Sequence, residues 1–318
     1  MSLLLDIRDL KTHFRIGPGQ IVHAVDGVSM SIQRDQVVGL VGESGSGKST
    51  LGKTVAGLLN RTAGEILYDG QPLPQRYSAT AFRRYSREIQ MIFQDPYSSL
   101  NPRMTVQEII SEPLRLQPGG ARRDYRDLVA QWLKRVGLMP DHMARYPHEF
   151  SGGQRQRIGV ARALIVEPKF VICDEPISAL DVSVQAQVVN LLGELQAGLG
   201  LTLLFIAHDL SMVRYISDRM AVMYLGTLVE EGPADDVYFE PLHPYTQLLI
   251  ASNPEPDPRI EKARAHEPIK GEVPSPINIK PGCRFAGRCP RAVARCRAET
   301  PAFRTAAGGR RVACHLVE

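Results

Sequence analysis

Val37-Val38-Gly39-Leu40-Val41 and the segment that follows it, Gly42-Glu43-Ser44-Gly45-Ser46-Gly47-Lys48-Ser49, decide the fold. The first five residues are almost uniformly apolar, which suits a parallel strand covered on both faces. The next eight fit a glycine-rich phosphate loop, and Leu51 to Leu59 beyond them reads as a helix. Strand, glycine turn and helix N-terminus in that order aim backbone N–H groups at phosphate oxygens, and the glycines permit the tight path. In such a loop Lys48 pairs with the β and γ phosphates and the Ser49 hydroxyl holds Mg²⁺. Gly42, Ser44, Gly45, Gly47 and Thr50 complete the expected phosphate cradle.

A metal-bound triphosphate needs a carboxylate, and Phe170-Val171-Ile172-Cys173-Asp174 is an apolar strand ending in one. Asp174 is the expected Mg²⁺ organiser, and Glu175 beside it is placed to accept a proton from an attacking water. Cys173 reads as a small core residue. His208 follows the apolar run Leu201 to Ala207, and Gln94 follows Ile89 to Phe93, so both sit at the C-terminal ends of predicted strands. Either residue alone is equally a structural cap.

Around these motifs the texture divides the chain. Leu3, Leu5 and Ile7, then Val25, Val28 and Met30, alternate as half-buried antiparallel strands do, and Glu65 to Gly70 reads as a strand closed by an Asp-Gly turn. From about residue 96 to 165 the period becomes helical, with Val106 to Leu114, Asp124 to Val136 capped by Gly137, and a helix opening near Gly153. Strands return at Phe170 to Cys173, Leu201 to Ala207 and Ala221 to Tyr224, alternating with helices as in a doubly wound sheet. The expected division is a nucleotide-binding unit over 1–252 and a Pro-rich, Cys-rich extension over 253–318.

Composition narrows the class. With 318 residues, 43% hydrophobic and 23% charged, the chain can bury one large core with a smaller appendage. No apolar run reaches the roughly 18 residues of a membrane span, so any membrane role is expected to be peripheral. The N-terminus has no basic leader and meets Asp6 early, unlike a signal peptide. A net charge of +4, dispersed, gives no reason to expect a nucleic-acid partner.

Phe150-Ser151-Gly152-Gly153-Gln154 adds what the phosphate loop alone cannot. Ser151 can cap the helix near Gly153, and glycines there leave the helix N-terminus bare for an incoming phosphate. Ser-Gly-Gly is also a plain loop-to-helix transition. Taken in chain order, the phosphate loop, Gln94, this signature, Asp174-Glu175, Ser178-Ala179-Leu180-Asp181 and His208 resemble the ATP-binding cassette (ABC) ATPases. The resemblance implies a P-loop NTPase α/β core with an N-terminal antiparallel β region and an inserted helical subdomain. It implies Gln94 as sensor of the γ phosphate and the membrane partner, also near Mg²⁺. Glu175 would then be the general base, His208 the transition-state clamp and Asp181 a link across a dimer. It further implies two ATP molecules sandwiched between subunits, each gripped by one phosphate loop and the opposite Ser151 region. Adenine usually stacks on an aromatic of the β region in that family, which makes Phe14 the candidate and His13 the runner-up.

Three further segments, Pro96 to Arg103, Ala179 to Gln187 and His243-Pro244-Tyr245-Thr246, resemble the oligopeptide/dipeptide importer ATPases, and the likeness continues through Gly271 to Pro276 into the tail. It implies an energy-coupling subunit at the cytoplasmic face of the cell membrane. A paralogous ATPase, two transmembrane permeases and an extracytoplasmic substrate-binding protein would be its partners. Importers of nickel and other small solutes share much of the pattern, and a soluble ABC ATPase acting on DNA or ribosomes is the other-class alternative. A stand-alone kinase or GTPase is disfavoured by the signature and Gln94. The tail carries Cys283, Cys289, Cys296 and Cys314, four of the five cysteines. In a reducing compartment a metal site is a sharper reading than disulfides. The family likeness implies a [4Fe-4S] cluster on such a tail; zinc on the same thiolates and unligated thiols stay open. His315 is assigned no role.

Overall fold

Alternation along Leu3–Gly17 (β1) and Gln20–Gln33 (β2) buries Leu5, Ile7 and Leu10 on the same side as Val28, Met30 and Ile32, which pair with them in antiparallel register. The computed structural model describes residues 2–117, 119, 120, 123–252 and 274–317. After β2 come Val37–Val41 (β3), the phosphate-loop turn and Lys48–Val55 (α1). The expected helix to Leu59 stops early because Gly57 takes φ 74° and turns the chain out. Ala63–Tyr68 (β4) then reverses through Asp69 and Gly70, both at positive φ, into Gln71–Pro72 (β5), as a two-residue hairpin requires. These strands make a four-stranded sheet of order β2-β1-β4-β5.

Ala79–Glu88 (α2) leads into Ile89–Ile92 (β6), after which the chain leaves for the helical insertion. Pro96–Ser99 (α3), Val106–Arg115 (α4), Arg126–Arg135 (α5) and Gly152–Leu164 (α6) form it. Thr105 and Glu108 close a reciprocal capping box at the start of α4. Gly137, at φ 73°, ends the turn after α5 as its position suggested. Trp132, Leu133, Ile109 and Ile158 fill the space between these helices.

The chain returns through Phe170–Asp174 (β7), Val182–Leu199 (α7), Thr202–Ile206 (β8), Leu210–Ile216 (α8) and Arg219–Tyr224 (β9). β6, β7, β8, β3 and β9 are consecutive and parallel, so the C-terminal ends of β3, β6, β7 and β8 open on one rim, where ligands of doubly wound sheets sit. β7 and β8 are buried at every position.

Three further strands extend this sheet, and none was read from the sequence. Thr227–Pro233 (β10) pairs antiparallel with β9. It is followed by Ala234–Phe239 (α9) and Pro244–Ala251 (α10). In the tail, Arg304–Thr305 (β11) and Arg311–Val312 (β12) complete the order β11-β12-β10-β9-β3-β8-β7-β6. β10 was hidden because it buries two acids. Glu230 is fully buried and accepts from the Leu242 and His243 amides at 2.7 and 2.9 Å, and Glu231 pairs with Arg219 and Arg311 at 3.3 Å. Burial pushes the Glu230 carboxyl above the ordinary carboxylate range against those hydrogen bonds.

The cysteine-bearing extension is thus built into the cassette over its described residues. Phe285 is 1% exposed, with its ring centroid 5.3 Å from those of both Tyr224 and Tyr245. The Pro-rich stretch over 253–273 lies outside the described residues. Replacing Phe285 with Ala should destabilise the whole protein by about 3–5 kcal/mol in urea unfolding. A loss below about 1 kcal/mol would mean that the tail folds apart from the core.

Candidate nucleotide-binding site

The phosphate loop is wedged against backbone on two sides. A methyl group at Gly42 would stand 2.1 Å from the Met223 carbonyl oxygen, and one at Gly47, at φ 104°, would stand 2.0 Å from that of Ala24. Only glycine fits either place, and Gly47 immediately precedes α1, whose first residue is Lys48. The Lys48 ammonium folds back over the loop and donates to the carbonyls of Gly42 at 2.7 Å and Glu43 at 3.0 Å. Burial lowers its affinity for the proton, while Glu175, Asp174 and Glu43 pull the other way. An incoming phosphate would substitute for those carbonyls.

Ser49 and Asp174 meet as the sequence required, the hydroxyl donating to the carboxylate at 2.7 Å. A hydroxyl and a carboxylate beside a phosphate cradle are the hard oxygen donors that Mg²⁺ takes. Glu175 follows at φ 46°, a left-handed conformation that costs a non-glycine residue roughly 1–2 kcal/mol. Its amide is pinned to the Ile206 carbonyl at 2.9 Å. Its carboxylate accepts from the Gln94 amide at 2.9 Å and stands 4.0 Å from His208 Nδ1. Residues from the ends of β3, β6, β7 and β8 therefore converge.

A cavity of about 240 Å³ lies over this cluster, lined by Ser44, Gly45, Gly47, Lys48, Ser49, Thr50, Gln94 and Glu175 together with Val22, Ala24 and Pro276. Phe14 does not line it, but it is the cross-strand partner of Val22, which does, and its ring is exposed. His13 is otherwise engaged, with Nε2 3.0 Å from Asp26 and its ring 4.3 Å from that of His23. Sequence reasoning missed Pro276. It is brought in by pairing of residues 276–278 with β2, through His23 N–H to Pro276 O at 3.0 Å and Asn278 N–H to Ile21 O at 2.9 Å. No local pattern announces so distant a contact.

Ser151, Gly152, Gly153 and Gln154 do not line that cavity, and neither does Asp181. Ser151 caps α6, accepting from the Gln154 amide at 3.3 Å while Gln154 Oε1 accepts from the Ser151 amide at 3.0 Å. Gly153 has a reason beyond leaving the helix end bare, because a methyl there would meet Val184 at 2.4 Å. The signature helix is thereby pressed onto α7, which Asp181 immediately precedes. The Ser178 hydroxyl, in the same loop as Asp181, returns to the Glu175 carbonyl at 3.1 Å.

In the tail, Cys283 and Cys296 are joined by the Cys283 N–H to Cys296 O bond at 2.7 Å. Burial first, and then neighbouring thiols including Cys296 and Cys314, push the Cys283 and Cys289 thiols up. All four therefore share one neighbourhood, whereas Cys173 is enclosed in β7 with its pKa pushed up to about 12. Among the described residues the set of three metal-type ligands within 4.8 Å of one another is His13, His23 and Asp26. Burial alone would raise Asp26, but Arg284 and His13 hold it low, so an arginine already supplies the positive charge there.

Residues 25–178 match the ABC transporter family and residues 229–296 the oligopeptide/dipeptide transporter C-terminal region. The oligopeptide transport ATP-binding protein OppF of Salmonella typhimurium is 52% identical over 94% of this chain and 92% of its own. AppF of Bacillus subtilis, which carries the same description, is 49% identical over 98% and 97%. The cassette MJ0796, solved as a dimer in a post-hydrolysis state bound to ADP and Pi, superposes with a TM-score of 0.66 at 27% identity, covering 73% of this chain and 99% of its own. A P-loop α/β core with an antiparallel β region, a full set of nucleotide motifs and a matching tail place this chain among the ABC ATPases, in the family of oligopeptide transport ATP-binding proteins.

Proposed function

We propose that this chain is the energy-coupling subunit of a di- and oligopeptide importer, and that its ATP site is the cavity between the phosphate loop and Glu175. ATP hydrolysis is the activity of its family. The observation that supports these site roles is the convergence of Gln94, Glu175 and His208 beside the Ser49 to Asp174 hydrogen bond. Loop amides and Lys48 would grip the β and γ phosphates. Ser49 and Asp174 would hold Mg²⁺, directly or through water, with Gln94 close by. When bound, Mg²⁺ neutralises charge on the β and γ phosphates. Gln94, now on the Glu175 carboxylate, would turn to the γ phosphate and leave Glu175 free to take the proton of the attacking water. His208 would clamp the developing charge, and Phe14 beside Val22 would stack the adenine.

The signature lies away from this cavity, which favours its use on the nucleotide of a second subunit, a paralogous ATPase, with Asp181 linking the two sites. For the membrane partners, a groove of about 580 Å³ between α2, β6 and α4 offers Leu58, Phe82, Met91, Phe93, Pro113 and Leu116. Phe93 adjoins Gln94, so a permease segment seated there would act on the catalytic cluster. No helix among the described residues is long and apolar enough to cross a membrane. The subunit would sit on the cytoplasmic face against two permeases served by a substrate-binding protein.

For the tail we favour a cluster over a single ion. Four thiolates in one neighbourhood meet the ligand requirement of a [4Fe-4S] centre, and Cys283, Cys289, Cys296 and Cys314 would hold it.

Glu175→Gln should retain ATP, lose turnover by about a hundredfold or more and accumulate as an ATP-bound dimer in gel filtration; near-normal hydrolysis would refute Glu175 as base. Lys48→Ala should weaken ATP binding itself, and unaltered affinity in calorimetry would contradict the phosphate assignment. Anaerobically purified protein should be brown and contain iron and sulfide, whereas colourless protein with stoichiometric zinc would sink the cluster.

A further inference from the structure

Arg288 lies in the turn between Cys283 and Cys289, a turn closed by the Arg288 and Cys289 amides donating to the Phe285 carbonyl at 2.9 Å and the Ala286 amide donating to Cys283 at 3.0 Å. Its side chain leaves the turn and crosses to the phosphate loop. There it binds both oxygens of Glu43, Nη1 to Oε2 at 2.7 Å and Nη2 to Oε1 at 2.9 Å, while Nη1 also reaches the Tyr224 hydroxyl at 3.3 Å. The arginine side chain is 6% exposed and the glutamate 23%. Fork-to-fork pairing of this kind fixes direction as well as distance, and removal of one partner leaves the other charged and poorly solvated.

Glu43 is the residue through which that grip reaches the phosphates. Its amide donates to the Tyr245 hydroxyl at 2.9 Å, and its carbonyl accepts from Lys48 Nζ at 3.0 Å and from the Ser46 amide at 3.2 Å. A shift of the Glu43 side chain would therefore move the lysine's resting place and the loop's curvature together. The tail touches the site twice more. Arg284, next to Cys283, binds Asp26 and the Leu225 carbonyl, and the neighbouring Gly226 amide donates to Ser46 O at 2.8 Å. Pro276 forms part of the cavity wall.

We propose that Arg288 is a positioning residue of the nucleotide site, holding Glu43 so that ATP affinity depends on the fold of the four-cysteine tail. The inference rests on the phosphate-loop reading. In the full-length protein, Arg288→Gln and Glu43→Gln should each weaken Mg·ATP binding about tenfold in calorimetry, with the loss appearing in KM. The double variant should be no weaker than either single one, since both remove the same contact. Single variants that bind like the wild type, or effects that add in the double, would overturn the proposal. Thermal midpoints show whether each variant folds; should Arg288→Gln not fold, Glu43→Gln, which leaves the tail sequence intact, reads the same contact. Lys48→Ala run alongside separates the two ideas: weak binding there with wild-type binding in Glu43→Gln removes only the role of Arg288. Wild-type binding by Lys48→Ala would remove the nucleotide site and this inference with it.

Discussion

The site depends on one steric constraint, the contact of the phosphate loop with two backbone carbonyls. Gly42 lies against Met223 at the end of β9 and Gly47 against Ala24 in β2, so the loop is a wedge between the parallel sheet and the antiparallel one. Backbone against backbone leaves no side chain to adjust, which makes the direction of the loop amides a property of how the two sheets are set. The position of Lys48, the Ser49 to Asp174 bond and the cavity wall formed by Val22 and Ala24 all follow from that seating.

Around the wedge the converging polar groups come from strand ends, which explains why so much was legible. A buried parallel strand must be apolar throughout, and a polar residue at its C-terminal end must be there for another purpose. Gln94, Asp174-Glu175 and His208 each stand after such a run, and each reaches the rim. The helical insertion was equally visible through its period and the caps at Gly137 and Ser151.

What stayed hidden depends on contacts between distant parts of the chain. β10 reads as polar because Glu230 and Glu231 are paid for by the Leu242 and His243 amides and by two arginines, one of them in the tail. Pro276 and Arg288 belong to a segment whose composition suggested an appendage, and only the folded chain sets them beside the phosphate loop. Gly153 was read for what it exposes, whereas its hydrogen also admits Val184. In each case the missing information was the identity of a neighbour.

The two short tail strands have a consequence for the edge of the sheet. β10 is seven residues long and lies beside β9, so without a cover its outer amides and carbonyls would offer a ready template for another chain. β12 occupies part of that row, Arg311 lying opposite Glu231 in register, and β11, only two residues long and containing Arg304, becomes the new boundary. A short rim bearing arginine is a poor surface for strand addition. The extension thus also leaves less of that edge open to strand addition by another chain.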